Sequence, residues 1–244
     1  VQGGQLDNYY RRYTGYNHTI NATFKKSIGK FNGRLMLGTM WQDYQTKMFA
    51  VYGTKLLTPL GRDSSNTTAN TRVRLNRNNF GQFNEYIVRQ IAYFGEFAVN
   101  YKNMIFLNYT HRFEQASTLP KANRNYNYPG ASLSFIMTDI LPGLKKNDIL
   151  NYWKLRTSFA VTARLNGAYS NQSVFANRTG SGLGYSYDFG NLNPDLEPEK
   201  QQTYEVGTEF RLFNSKLTLD VTYYNTLNTS QIVELFRSSY GSGY

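Results

Sequence analysis

Apolar and polar residues alternate in runs along most of the chain. A period of two is the mark of a strand whose two faces meet different surroundings. The clearest run is Lys216 to Asn225. Leu217, Leu219, Val221 and Tyr223 share one face, and Lys216, Thr218, Asp220, Thr222 and Tyr224 share the other. Just upstream, Tyr204, Val206, Phe210 and Leu212 alternate with Glu205, Glu209 and Arg211. The polar stretch Phe213-Asn214-Ser215-Lys216 between the two runs predicts a tight turn and hence a long antiparallel hairpin.

The pattern recurs towards the N-terminus. Ile20, Ala22, Phe24 and Ile28 alternate with Asn21, Thr23, Lys25 and Ser27. A turn around Gly29–Gly33 then leads to a return strand marked by Leu35, Leu37 and Trp41. Ile91, Tyr93, Phe97, Val99 and Tyr101 form another apolar face, and Lys102-Asn103 turns the chain into a strand carrying Ile105, Leu107 and Tyr109. Trp153, Leu155, Phe159 and Val161 mark one more strand, and a shorter one is predicted near Ala131–Met137. The total is about eight strands, several of about 12 residues, against a usual globular length of about five or six. About 9–11 tilted residues cross a bilayer core.

Connection lengths alternate as well. The turns at 29–33, 102–103 and 213–216 are short, whereas 46–85, 115–129 and 165–201 are long and rich in Asn, Gly, Ser, Thr and Arg. The link 138–150 is intermediate, with Pro142-Gly143-Leu144-Lys145-Lys146 suggesting one helical turn. Short turns on one side and long loops on the other belong to an up-and-down membrane barrel. A soluble sandwich buries its apolar face and has no cause for such sidedness. The expected fold class is therefore all-β: a partial, antiparallel, up-and-down transmembrane β-barrel, with residues 1–244 forming part of one barrel domain.

Composition fits that expectation. The 244 residues are 40% hydrophobic and 16% aromatic, with 21 Tyr and 16 Phe. No run approaches the roughly 18 apolar residues of a membrane helix, so a membrane fold has to be a barrel. A barrel strand shows lipid only one face, which keeps the mean hydropathy of −0.55 low. Aromatics near strand ends, such as Tyr16, Trp41, Tyr101, Trp153 and Tyr223, suit interfacial girdles, although strand propensity alone also favours them. The formal charge of +11 is spread along the chain rather than clustered, which argues against nucleic acid. With no Cys there is no disulfide framework and no thiolate site. Residues 1–20 carry no signal-peptide pattern, and 238–244 suggest a loop; a middle piece of a larger protein is the expectation.

Three passages carry a family resemblance. Tyr93-Phe94-Gly95-Glu96-Phe97-Ala98-Val99-Asn100-Tyr101 is one, and Tyr152-Trp153-Lys154-Leu155-Arg156-Thr157-Ser158-Phe159 is the second. The third is Asn193-Pro194-Asp195-Leu196-Glu197-Pro198-Glu199-Lys200, followed by Tyr204-Glu205-Val206-Gly207 and by Leu217 to Tyr224. From about residue 86 to 234 the chain resembles the barrel of SusC/RagA-type TonB-dependent transporters. It departs from that pattern at 197–200, where the family often has Trp-Glu-Lys-Thr, and at 112–117, where it often has Arg-x-Asp-Gly-Ser-Ser. The resemblance implies a barrel of about 22 strands with a plugged lumen in the bacterial outer membrane. It implies active import of a glycan or peptide nutrient, energised by the TonB complex and assisted by a SusD-like surface lipoprotein. The plug and the closing strands are not recognisable in the chain. Outer-membrane lipid and lipopolysaccharide are the expected surroundings.

Catalytic chemistry is sparse. His18 and His111 fall on separate predicted strands with no partner at metal-ligand spacing, so neither metal nor cofactor is expected and no enzyme activity is assigned. Gly180-Ser181-Gly182-Leu183-Gly184 lies in a polar loop and follows no strand–helix boundary. The candidate ligand contacts are Tyr169, Arg178, Tyr185, Tyr187 and Phe189 in the long loop 165–201. Aromatic faces beside amides combine stacking with hydrogen bonding, which suits sugars and peptides; packing of one loop on another is the alternative. Three functions remain open on sequence grounds: an energised importer, a structural or secretion-associated barrel without import, and an outer-membrane enzyme.

Overall fold

The computed structural model describes residues 4–58, 67–74, 85–146, 149–167, 175–177, 185–187 and 192–233. The strands are β1 (Gln5–Ile28), β2 (Phe31–Leu56), β3 (Thr67–Arg74), β4 (Glu85–Tyr101), β5 (Ile105–Ala116) and β6 (Asn125–Ile136). A helical turn at Met137–Ile140 and a 3-10 turn at Pro142–Lys146 precede β7 (Leu150–Arg164). Then come β8 (Phe175–Asn177), β9 (Tyr185–Tyr187), β10 (Glu199–Leu212) and β11 (Leu217–Thr229). The main sheet runs β1-β2-β4-β5-β6-β7-β10-β11, with β3 paired to β2 and β8-β9 forming a separate pair. The eight-stranded antiparallel meander expected from alternation is present.

The chain divides into two compact units, residues 19–40 with 90–244 and residues 1–18 with 41–89. In the larger unit, each paired strand is antiparallel to its neighbour. Tyr93 faces Phe113, Leu107 faces Leu133, Leu133 faces Thr157, Leu155 faces Thr208, and Phe210 faces Leu219. The short connections are joined into one rim by backbone bonds. Lys102 N donates to Lys30 O at 2.9 Å, Ile136 N to Met104 O at 2.8 Å, and Phe213 N to Ile149 O at 2.9 Å. Asn151 and Asn214 bond to one another beside the last of these.

Local chemistry explains the turns. Lys102 and Asn103 both have positive φ, of 50° and 56°, and Met104 N donates to Tyr101 O at 2.9 Å. That is the two-residue turn whose twist matches flanking strands, and the Asn100 side chain accepts from Asn103 N at 2.7 Å to hold it. Gly29 supplies a φ of +58° for the β1–β2 turn, which is shorter than the stretch to Gly33 that the sequence suggests. Phe213, Asn214 and Ser215 are all left-handed, and Lys216 N closes on Phe213 O at 3.2 Å. The predicted helical turn within 138–150 is present.

At the other ends of the strands the structure departs from the sequence expectation. The segment 46–85 is not a loop throughout, since β2 continues to Leu56 and pairs with β3. Likewise β6 starts at Asn125, six residues before the strand expected near Ala131. Pro129-Gly130 hides that extension in the sequence. Proline has no N–H to give a ladder, but β6 meets β7 only from Gly130 onward, so Pro129 costs no bond on that side.

The larger unit has two unlike faces. Ile20, Phe24, Ile28, Leu35, Leu37, Phe97, Leu107, Val206, Leu219 and Val221 stand on one face and are all exposed. A protein in water does not leave such a face bare, because each large side chain gains about 1.5–3 kcal/mol on burial. Aromatic contacts bracket the apolar level. Phe31 against Tyr101 (4.7 Å) and Trp153 on Phe210 (5.6 Å) lie at the rim side; Phe159 with Tyr204 (4.8 Å) and Phe113 with His111 (4.4 Å) lie towards the other.

The smaller unit contains the outer half of β2, β3 and the start of β4. Leu56 N bonds Gly4 O at 3.3 Å, Tyr13 stacks on Tyr44 at 5.8 Å, and His18 stacks on Trp41 at 5.5 Å. Arg89 pairs with Asp43 at 2.9 Å and Lys47 with Glu85 at 3.4 Å. Thr46, Met48 and Gly53 are its buried residues among those described.

Candidate functional site

The polar face of the larger unit carries a set of ion pairs, some between strands and some two residues apart on one strand. Arg34 on β2 pairs with Glu96 on β4, whose carboxylate also accepts from Asn108 Nδ2 on β5 at 2.9 Å. Arg112 Nε donates to Glu114 Oε2 at 2.7 Å, and its guanidinium also approaches Met40 Sδ at 3.4 Å. Arg211 donates to Glu209 at 2.9 Å and lies 4.7 Å from the Tyr152 ring. A cavity of ≈ 490 Å³ on this face is lined by Lys25, Arg34, Asn100, Asn108, Ser132 and Ser134, among others. The arrangement is a wetted wall in which most charge is matched by its neighbour.

One contact joins all the later motifs. Arg156 on β7 donates from both terminal nitrogens to Asp220 on β11, at 3.1 and 2.6 Å, and also to Thr222 Oγ1 at 2.6 Å. Strand β10 lies between them, so the guanidinium must cross it. It crosses at Gly207, which faces Arg156 on one side and Thr222 on the other. A Cβ at Gly207 would stand 2.5 Å from Arg156 Nε. Half-exposed, the pair contributes about 1 kcal/mol at most. Its interest is geometric, since alternation places these residues on one face but cannot show that they meet.

The outer connections are organised by a small core. Ala116, Leu119 and Tyr126 are buried together, with Tyr128 and Leu165 against them. Tyr126 faces Glu114, one register step outside Phe113. Asn123 Nδ2 ties this connection to Asp195 O at 3.0 Å. Within the third motif, Asn193 Oδ1 accepts from Asp195 N at 2.9 Å, Leu196 is buried, and Glu199 accepts from Ile232 N at 3.0 Å. That passage is thus a folded clasp at the outer ends of β10 and β11.

Of the five loop residues expected to touch ligand, Tyr169, Arg178 and Phe189 lie outside the described residues, as does 180–184. Tyr185 and Tyr187 fall on β9, opposite Asn177 and Phe175 of β8. His111 Nδ1 lies 2.8 Å from Tyr109 Oη, on the apolar face between aromatic rings. Among the described residues no three His, Cys, Asp or Glu converge to hold a metal.

An exposed apolar face backed by a charge-matched polar one, on a meander of long antiparallel strands, is the wall of a membrane β-barrel. The family model for "TonB dependent receptor-like, beta-barrel" matches residues 2–244, and the chain belongs to that family. Its members are bacterial outer-membrane proteins, receptors and transporters rather than enzymes. Solved structures at 18% identity are similar over almost the whole chain. The RagAB peptide transporter is matched with a TM-score of 0.81 over 98% of this chain. The RagAB peptide importer in its open-open state is matched at 0.77 over 97%. The siderophore receptor PirA from Pseudomonas aeruginosa is matched at 0.52, with 13% identity over 88% of this chain. The chain spans 26% of the length of the RagAB chains and 32% of PirA's. No curated protein matches it.

Proposed function

We propose that the chain is one part of the barrel domain of a TonB-dependent importer, whose plug and closing strands belong to the rest of the protein. The observation that carries this reading is the two-faced sheet in a chain matched along its length by the TonB-dependent barrel family. Such an importer takes nutrients too large for passive porins, energised by the TonB complex. The substrate class we favour is a peptide or oligosaccharide, delivered with a SusD-like surface lipoprotein as lid. Two supports are the motif passages and the likeness to RagAB, which is described as a peptide transporter. Ligand contact is assigned to loop 165–201, with Tyr169, Arg178, Tyr185, Tyr187 and Phe189 as its aromatic and cationic members, because binding residues concentrate on long loops held by a rigid scaffold.

The test is growth on candidate peptides and glycans, with surface levels of the full-length protein measured in parallel. Shortening loop 165–201 is expected to weaken growth while the barrel stays folded. Unchanged growth at equal surface level would remove this loop from the site. Growth that persists after deletion of TonB would remove energised import and leave a structural or secretion-associated barrel.

A further inference from the structure

The short-turn rim carries a lysine at each connection. Lys30 sits in the β1–β2 turn, Lys102 in the β4–β5 turn, Lys145 in the β6–β7 link and Lys216 in the β10–β11 turn. All four side chains are exposed. Among the described residues, Asp139 is the one carboxylate in these connections, and it pairs with Lys145 at 2.6 Å. Backbone bonds join these turns into one continuous edge, so the lysines share a rim. The outer connections of the same unit differ, because Lys121 and Arg124 are accompanied there by Asp195, Glu197 and Glu199.

Rings and aliphatic groups share this rim with the lysines. Lys102 Nζ lies 5.5 Å from the centre of the Tyr101 ring, which itself meets Phe31. Phe213 is exposed at the β10–β11 turn, and Leu141 and Ile149 are exposed in the β6–β7 link. Rings and aliphatic groups of this kind seat at the boundary between acyl chains and headgroups, and ammonium groups just beyond them reach the phosphates.

We propose that this rim binds anionic phospholipid headgroups of the leaflet that it faces, with Lys30, Lys102 and Lys216 as the phosphate contacts. The occupant is a phospholipid rather than a soluble anion because the cations directly border an exposed apolar face. A juxtamembrane cation adds attraction to anionic lipid of a size that converts to about fivefold in affinity for each lysine. The inference does not rest on import, and its test reads no uptake.

The full-length protein is purified in detergent and titrated with phosphatidylglycerol or phosphatidylcholine, and retained lipid is counted by native mass spectrometry. Wild type is expected to retain phosphatidylglycerol in preference to phosphatidylcholine. The triple variant Lys30→Gln, Lys102→Gln, Lys216→Gln is expected to lose that preference by tenfold or more. The corresponding triple arginine variant is expected to keep it, which separates charge from folding. Lys145→Gln, whose ammonium is engaged by Asp139, is expected to change it least. Equal retention of the two lipids by wild type, or a glutamine triple indistinguishable from wild type, would overturn the proposal. Displacement of phosphatidylglycerol by added lipopolysaccharide would overturn the assignment to phospholipid, because lipid A phosphates would then fill the same positions.

Discussion

The two ends of the strands in the larger unit are built by different means. At the rim, the chain reverses in a few residues, and backbone handedness does the work: Gly29, Lys102, Asn103 and Phe213 to Ser215 all adopt positive φ. At the outer end it reverses through long connections whose shape depends on contacts distant in sequence, as where Asn123 meets Asp195 and Leu165 packs against the core of Ala116, Leu119 and Tyr126. Local rules set one end and tertiary packing the other. The rim should therefore fail through strain and the outer end through lost burial.

Between the two ends lies a lipid level, and the largest expected effect tests it. Val221→Arg puts a charge on the apolar face midway between the Trp153–Phe210 and Phe159–Tyr204 levels and is expected to cost about 2–4 kcal/mol. Thr218→Arg, on the polar face, is expected to cost far less. The measurement is the folded fraction of full-length protein in lipid vesicles; equal losses would abolish the distinction of faces. Next comes Leu119→Ala, expected to cost about 2–5 kcal/mol, released as local opening of the outer connection. Hydrogen exchange should quicken over residues 116–126 and stay unchanged at 101–104; quickening at both would show that the ends are not independent. The smallest is Gly29→Ala, which forces a side chain into left-handed backbone at about 1–2 kcal/mol. Gly143→Ala, equally open but without positive φ, is expected to be near neutral. Urea titrations of the pair in vesicles check this, and matching midpoints would mean that the turn, not the glycine, sets its own φ.

The same division governs what the amino-acid sequence discloses. The eight strands and the rim turns were legible because alternation and turn residues act over a few positions. The early start of β6 was not, since Pro129 argues locally against a strand and only the missing β7 partner makes it harmless. The continuation of β2 past residue 46 was hidden likewise, because its pairing with β3 depends on residues about twenty positions away. For the candidate site, period two put Arg156 and Asp220 on the polar side, but their meeting requires the register of three strands. Loop 165–201 stands out by its composition, which carries no information about which side chains converge.

The crossing of Arg156 over Gly207 bears on how the wall assembles. Strand pairing by backbone alone is nearly indifferent to a one-residue slip, yet such a slip turns every side chain to the opposite face. Slipping β11 by one position would carry Asp220 into lipid and leave the guanidinium facing Leu219 or Val221. A bulkier residue at 207 would block the passage even in the correct register. The contact is worth little as an interaction, yet it reads three strands at once and admits one alignment. It works as a checksum on the order in which the hairpin β10–β11 is laid against β7.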